Sequence, residues 1–331
     1  MKEYDVVCLG EILIDMFPGE IGKHLHEVKE FHPKPGGAPA NVAVGVRRLG
    51  SESGFIGKVG EDHFGVFLQR VLEEEGVSTR GLRFDEKART TMAIIASPSP
   101  DCAEFVFYRN PGADQMLQPD ELDLALLRNT RVFHFGSLSL TDEPVRSAAV
   151  KALREAKDAG ALVSFDFNFR PDLWESPSHA LLAVKAILPE VDVLKMNEVE
   201  GALLSGVEGL DPADTSEIEG AAKEILEMGP ALVVITMGKD GCYFQTRTTG
   251  EFVPGFKVDS LDSVGCGDAF TAGLLTKLAG SERPLVSLDQ EELRGIFRFA
   301  NGVGALTSMK LGAIPALPTI LEVEDFLNDR G

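Results

Sequence analysis

The sequence predicts an α/β fold, in which a mostly parallel central sheet is covered by helices on both faces and carries a small accessory β-sheet. Three observations lead there: β-branched runs alternate with amphipathic stretches, the apolar runs are nearly continuous, and two segments interrupt the alternation. In chain order, residues 6–9 read as a strand, 40–49 as a helix, 55–56 as a strand and 64–72 as a helix. The rhythm resumes with a strand at 132–135, a helix at 144–157 ending at Gly160, a strand at 162–165 and a helix at 179–188. A strand at 191–194, two helices, a strand at 232–235 and a helix at 271–278 follow. Residues 16–34 hold Pro18, Gly19, Gly22 and Pro33 and no helical period, whereas residues 90–109 hold two β-rich runs joined by Ser97-Pro98-Ser99-Pro100-Asp101, the signature of a hairpin with a long turn. Extra strands inserted between β-α-β units do not easily join the main sheet, so both segments are expected over the carboxyl ends of its strands, where open α/β sheets bind ligands. The expected division is a main body of residues 1–15, 36–88 and 112–331 with an accessory sheet of residues 16–35 and 89–111.

Composition narrows the function. With 44% hydrophobic and 25% charged residues the chain reads as a globular protein rather than a disordered or fibrous one. A formal charge of −20 argues against a DNA- or RNA-binding face, so a phosphorylated ligand has to be held by local devices. No apolar run approaches the roughly 18 residues of a membrane span, and Met1-Lys2-Glu3-Tyr4-Asp5 lacks a signal-peptide core, which leads to the expectation of a cytoplasmic protein without a membrane partner. Cys8, Cys102, Cys242 and Cys266 lie far apart without a CxxC, so neither a disulfide framework nor a zinc site is expected. His24, His26 and His32 lack an acidic or cysteine partner at ligand spacing.

Two blocks carry chemistry. Asp262-Ser263-Val264-Gly265-Cys266-Gly267-Asp268 leads into a helix whose free N–H groups and macrodipole suit a phosphoryl group in transfer. Asp268 in its first turn reads either as a cap or as a base beside that anion site. Gly36-Gly37-Ala38-Pro39-Ala40-Asn41 opens another helix: its glycines allow close backbone approach, and Asn41 offers a donor and an acceptor to a hydroxyl, although a plain helix entry has the same appearance. Asn197 and Glu200, at i and i+3, share a helix face or form an N-cap pair.

Together these blocks resemble the paired signatures of the PfkB, or ribokinase-like, carbohydrate kinases. The intermediate motifs Gly10-Glu11-Ile12-Leu13-Ile14-Asp15, Asp166-Phe167-Asn168-Phe169-Arg170, Asn197-Glu198-Val199-Glu200 and Thr236-Met237-Gly238-Lys239-Asp240-Gly241 stand in the same order. The resemblance implies a ribokinase-like fold with the accessory sheet as a lid, Asp268 as general base, and Gly265, Cys266 and Gly267 as the anion hole, with Cys266 where the family usually has alanine. It assigns sugar binding to Asp15, Gly36, Gly37, Asn41, Phe107, Arg109 and Arg170. It assigns ATP binding to Asn197, Thr236, Gly238, Gly241 and Asn301, the water shell of Mg²⁺ to Asn197 and Glu200, and a K⁺ loop to Asp262 and the carbonyl of Val264.

Residues 107–114 look most like the fructokinase branch, with Gly112 in place of its usual serine. The expected reaction is ATP-dependent phosphorylation of a primary hydroxyl of a ketohexose, fructose to fructose 6-phosphate, with a homodimer through the lid. A 2-keto-3-deoxygluconate kinase, which would want Arg109 paired to its substrate's carboxylate, and a catalytically silent sugar or nucleotide sensor are the rivals. A dinucleotide dehydrogenase is excluded because Gly10-Glu11-Ile12 opens no GxGxxG helix. Cys266, at a helix N-terminus, reads either as the most reactive of the four thiols, if solvent reaches it, or as a small buried residue that merely fits.

Overall fold

The computed structural model describes residues 2–20, 22–99, 102–212 and 214–330. Its strands are β1 (Tyr4–Leu9), β2 (Leu13–Pro18), β3 (Phe31–Gly36), β4 (Ser53–Gly60), β5 (Ser78–Asp85), β6 (Met92–Ser99), β7 (Cys102–Tyr108), β8 (Thr130–Gly136), β9 (Leu162–Asp166), β10 (Val193–Asn197), β11 (Leu232–Thr236), β12 (Gly241–Gln245) and β13 (Gly250–Pro254). Its helices are α1 (Ala38–Arg48), α2 (His63–Glu74), α3 (Leu124–Arg128), α4 (Val145–Asp158), α5 (Pro177–Ile187), α6 (Glu198–Ser205), α7 (Thr215–Leu226), α8 (Cys266–Gly280), α9 (Gln290–Ser308) and α10 (Ile320–Asn328). No helix among the described residues is long and apolar enough to cross a membrane.

The large sheet runs β13-β12-β11-β10-β9-β8-β1-β4-β5, parallel except for the β12–β13 edge. Successive residues of its strands feed two separate cores, because side chains alternate between faces. Val7, Leu9, Phe133, Phe135 and Leu194 pack with α3 to α7, while Val6, Cys8, Val132 and Val193 pack with α1, α2, α8, α9 and α10. The chain order reverses between β1 and β8, which places a ligand crevice at the carboxyl end of β1.

The interrupting segments form the small sheet β3-β2-β6-β7. Its hairpin departs from expectation: β6 and β7 continue into the Ser-Pro-rich stretch, with Ser99 paired to Cys102 and a register shift after Ala96, so the turn is short. Pro100 and Asp101 lie outside the described residues. Strand β10 also begins two residues later than its apolar run suggests and extends to Asn197; Asp192 instead accepts a 2.8 Å bond from the Val163 N–H. The edge strands β5 and β13 were not apparent in the pattern, since the solvent side of an edge tolerates the polar residues of Ser78–Asp85 and Gly250–Pro254; β12, buried between β11 and β13, is only five residues long and opens on the turn glycine Gly241.

Candidate active site

Two helix N-termini build the centre of the site. Gly37, with φ +106°, precedes α1, and the Glu11 carboxylate accepts a 3.1 Å bond from the Ala38 N–H there. Gly265, with φ +77°, precedes α8 and places Asp268 in its first turn. The two helices pack closely at Gly45, where an added Cβ would stand 2.6 Å from the Ala272 Cβ. Residues far apart in sequence therefore meet: Asn41 Nδ2 donates to Asp268 Oδ2 at 2.7 Å. Burial pushes Asp268 up to about 6, and Asp166 adds to that, whereas the Asn41 hydrogen bond, Lys195 and Arg170 oppose it. Such a carboxylate is ionised at neutral pH yet close enough to it to accept a proton.

Asp15 reaches this centre from the small sheet. It lies within β2 rather than in a turn after β1, and its Oδ2 occupies the space beside Gly36, only 2.0 Å from where a Cβ would be. Burial pushes Asp15 up to about 7, Asp268 and Asp262 raise it further, and Arg170 opposes them. Phe107 pairs with Ala93, which pairs with Asp15, so the three share one face of the small sheet. Arg170 follows the turn at Asn168 (φ +36°), and its Nη1 donates to the neighbouring Phe169 carbonyl at 3.2 Å.

Asp15→Asn is expected to stabilise the ligand-free protein near pH 8 while weakening sugar binding. The folded chain holds the Asp15 proton more tightly than the unfolded chain, so this stability is lost as pH rises through about 7. Above that the wild type carries a buried charge that the amide lacks. Thermal melts at about pH 5 and pH 8, with and without sugar, check this; an Asn variant that melts lower at the higher pH would contradict it.

Arg109 is a correction. Instead of facing a substrate, its guanidinium is buried, with Nε on Asp114 at 2.7 Å, Nη1 on the Thr141 hydroxyl and Nη2 on the Leu138 carbonyl, each at 3.0 Å. Asp114 also accepts from Thr91, just before β6. Arg109 thus pins the junction between the two sheets, with three of its five N–H donors and its charge engaged by Asp114, Thr141 and Leu138.

A cavity of about 630 Å³ is lined by Thr236, Gly238, Gly241, Cys266, Gly267 and Asn301 among others, bringing most of the expected nucleotide residues to one place. Gly241, with φ +112°, leaves no room for a side chain, since a Cβ would stand 2.2 Å from the Val253 carbonyl. Asn301 Nδ2 donates to the carbonyls of Val253 and Pro254 at 3.1 and 3.2 Å, fixing the end of β13 against α9. Asn197 does not line this cavity; it caps α6.

The capping reading of Asn197 and Glu200 holds in full. Asn197 Oδ1 accepts from the Glu200 N–H, and Glu200 Oε2 from the Asn197 N–H, each at 2.8 Å. Glu200 Oε1 also accepts from the Phe169 N–H at 2.7 Å, and burial raises its carboxyl above the usual range. With one backbone N–H held on each oxygen, Glu200 fits the water shell of a metal better than direct coordination. The Asp262 carboxylate is likewise bound by the Val264 N–H at 3.0 Å and the Gly312 N–H at 2.8 Å. A monovalent cation there would rest mainly on main-chain carbonyls, including that of Val264; among the described residues no three His, Cys, Asp or Glu cluster as a metal cage.

At Cys266 the geometry favours the packing reading over the reactive one. Its Sγ lies 3.6 Å from the Asp262 carbonyl, and burial, with Asp262 and Asp268 nearby, pushes the thiol up to about 12. Burial and the two carboxylates favour the protonated thiol over the thiolate that reacts with oxidants. Mild peroxide is expected to leave activity unchanged over the time in which free cysteine oxidises, with Cys266→Ala behaving alike. Rapid inactivation abolished by that substitution would contradict it.

Lys195 and Asp166 were missed as site residues. They form a buried ion pair of 3.0 Å below the first turn of α8. The signal was present, since a lysine stands within the otherwise apolar run of β10.

The comparisons agree with this geometry. The family model described as pfkB family carbohydrate kinase matches residues 4–320. Probable fructokinase-2 of Arabidopsis thaliana is 43% identical over 322 residues, 97% of this chain and 95% of that protein. Fructokinase-2 of Solanum lycopersicum is 42% identical, covering 96% of this chain and 94% of that protein. Among solved structures, the fructokinase with bound ATP from Xylella fastidiosa has a TM-score of 0.89 at 33% identity, with 98% of each chain covered. A double mutant of the fructokinase from Vibrio cholerae, in a form bound to fructose, ADP and a potassium ion, has a TM-score of 0.85 at 32% identity, covering 98% of this chain and 99% of that one. Two helix N-termini brought together at a sheet crossover, a small β-sheet carrying an acid into the same place, and a match over nearly the whole length make this chain a member of the PfkB family of carbohydrate kinases.

Proposed function

We infer that the protein is an ATP-dependent fructokinase, transferring the γ-phosphoryl of ATP to the primary hydroxyl that gives fructose 6-phosphate. The observation that carries this reading is the Asn41–Asp268 hydrogen bond at the N-termini of α1 and α8, beside the nucleotide-sized cavity. Asp268 takes the proton from the attacking hydroxyl, and Asn41 holds the carboxylate in position. The first turn of α8, from Gly265 through Cys266 and Gly267, presents N–H groups to the transferring phosphoryl. Asp15 accepts sugar hydroxyls from the small sheet, which acts as a lid, while Arg170 lies within electrostatic reach of Asp15 and Asp268. Bound with ATP, Mg²⁺ would supply neutralisation of phosphate charge; Glu200 would hold its water shell, and Asp262 with nearby carbonyls would hold K⁺. Because Arg109 is committed to Asp114, the neutral sugar is favoured over a sugar acid.

The residues 16–35 and 89–111 move together as the lid in this reading, and two copies associate through it. Sedimentation of the whole chain as a monomer at micromolar concentration would count against the dimer. The three described thiols, Cys8, Cys242 and Cys266, are free, which accords with a reducing compartment such as the cytoplasm. ADP release with fructose, ribose, 2-keto-3-deoxygluconate and adenosine, in K⁺ and in a bulky organic cation, tests the function. Fructose in K⁺ is expected to give the highest kcat/KM. Preference for another acceptor would reverse the substrate assignment, and sugar binding without ADP release would identify a sensor.

A further inference from the structure

The buried pair beneath α8 has no role in the reaction just described. Lys195 Nζ bonds Asp166 Oδ2 at 3.0 Å and lies 3.1 Å from where a Cβ on Gly267 would stand. Glycine at 267 therefore leaves room for an ammonium directly beside the anion-binding turn. An ammonium has three donors, and Asp166 takes one of them.

The surroundings hold that charge in place. Burial alone would pull Lys195 down, but Asp166, Glu200 and Asp268 keep it above its usual value, so it remains protonated. His134, on neighbouring β8, is buried with its Nδ1 3.0 Å from the Ser164 hydroxyl, and burial depresses it to about 4, leaving it neutral. Asp268 itself is faced by Asn41 from α1, Asp166 from β9, Arg170 from the loop after β9, Lys195 from β10 and Asp15 from β2. Lys195 is the cation seated against the turn on which the phosphoryl arrives.

Resting on the kinase reading above, we propose that Lys195 is a charged component of the anion hole, stabilising the transferring phosphoryl group at the first turn of α8 as well as neutralising Asp166. A buried lysine that served only to balance Asp166 would be dispensable once that charge was removed. The test therefore compares Lys195→Met, Lys195→Arg and the double variant Asp166→Asn/Lys195→Met, each by thermal melt and by kcat against pH. The decisive quantity is kcat on the alkaline plateau, where Asp268 is ionised in every variant.

Lys195→Met is expected to lower plateau kcat by about 10²-fold, the usual effect of losing one anion-hole donor, and to move the acid limb to higher pH. Lys195→Arg, which keeps the charge, is expected to retain more of the plateau than Lys195→Met. The double variant is expected to recover the melting temperature and the acid limb without recovering the plateau. Recovery of a near wild-type plateau in the double variant would overturn the proposal and leave Lys195 as the counter-ion of Asp166. Failure of the kinase reading would look different, because the wild type itself would release no ADP with any sugar.

Discussion

Asp268→Asn lowers kcat by about 10²- to 10⁴-fold, the range expected for loss of a general base, while ATP and fructose still bind. The amide keeps the shape, and its oxygen can still accept the hydrogen bond from Asn41, so the α1–α8 contact survives. What it lacks is the capacity to take a proton. The wild-type pH profile makes the same point without a mutation. With Asp268 pushed up to about 6 by burial, the base is protonated and inactive below that value, so kcat rises with pH through about 6 and then levels. Asp15, pushed up to about 7, adds a second acid limb that belongs to sugar binding and so appears in kcat/KM for fructose. The Asn variant at 268 is expected to lose the lower limb and keep the upper one. Near-normal turnover in that variant, or an unchanged limb near pH 6, would assign the proton to another group.

How much of this could be read in the sequence depended on how local each feature is. The N-termini of α1 and α8 were legible because glycine, a small residue and a polar first turn occupy a few consecutive positions. Their meeting was not, since it depends on Gly45 lying against Ala272 across the interface between two helices distant in the chain. Arg109 was misread for a related reason: a basic residue in a motif invites a substrate, and nothing in the sequence says that Asp114, Thr141 and Leu138 will hold its guanidinium. For Cys266 the helix-terminus argument is sound in isolation, but burial and two carboxylates outweigh it. Lys195 is less conspicuous in the sequence than the motif that begins two residues later at Asn197, although a charge in a buried strand is itself a signal. In the small sheet, Ser97-Pro98-Ser99 suggested part of a long turn, and pairing between β6 and β7 overrode that local preference.

Gly36→Ala raises the KM for fructose by about 10²-fold or more with little change in melting temperature, a separation that follows from what the new methyl group meets. Its Cβ would fall 2.0 Å from Asp15 Oδ2 and 2.8 Å from Asp15 Cγ, the end of a side chain that can rotate away without moving backbone. The fold can thus absorb the change by displacing the one carboxylate that the proposed sugar contact requires. Gly37→Ala is the contrasting case. There the backbone sits at φ +106°, and the added carbon would lie 2.5 Å from the Glu11 carbonyl oxygen and 2.9 Å from the Ile12 Cα, none of which can turn aside. It is expected to cost about 1–3 kcal/mol of stability in addition to activity. Measuring melting temperature alongside KM for fructose and for ATP in the two variants distinguishes these effects. A Gly36→Ala variant that melts normally and binds fructose normally would remove Asp15 from the sugar site, because no arrangement with the methyl present leaves that carboxylate where it now stands.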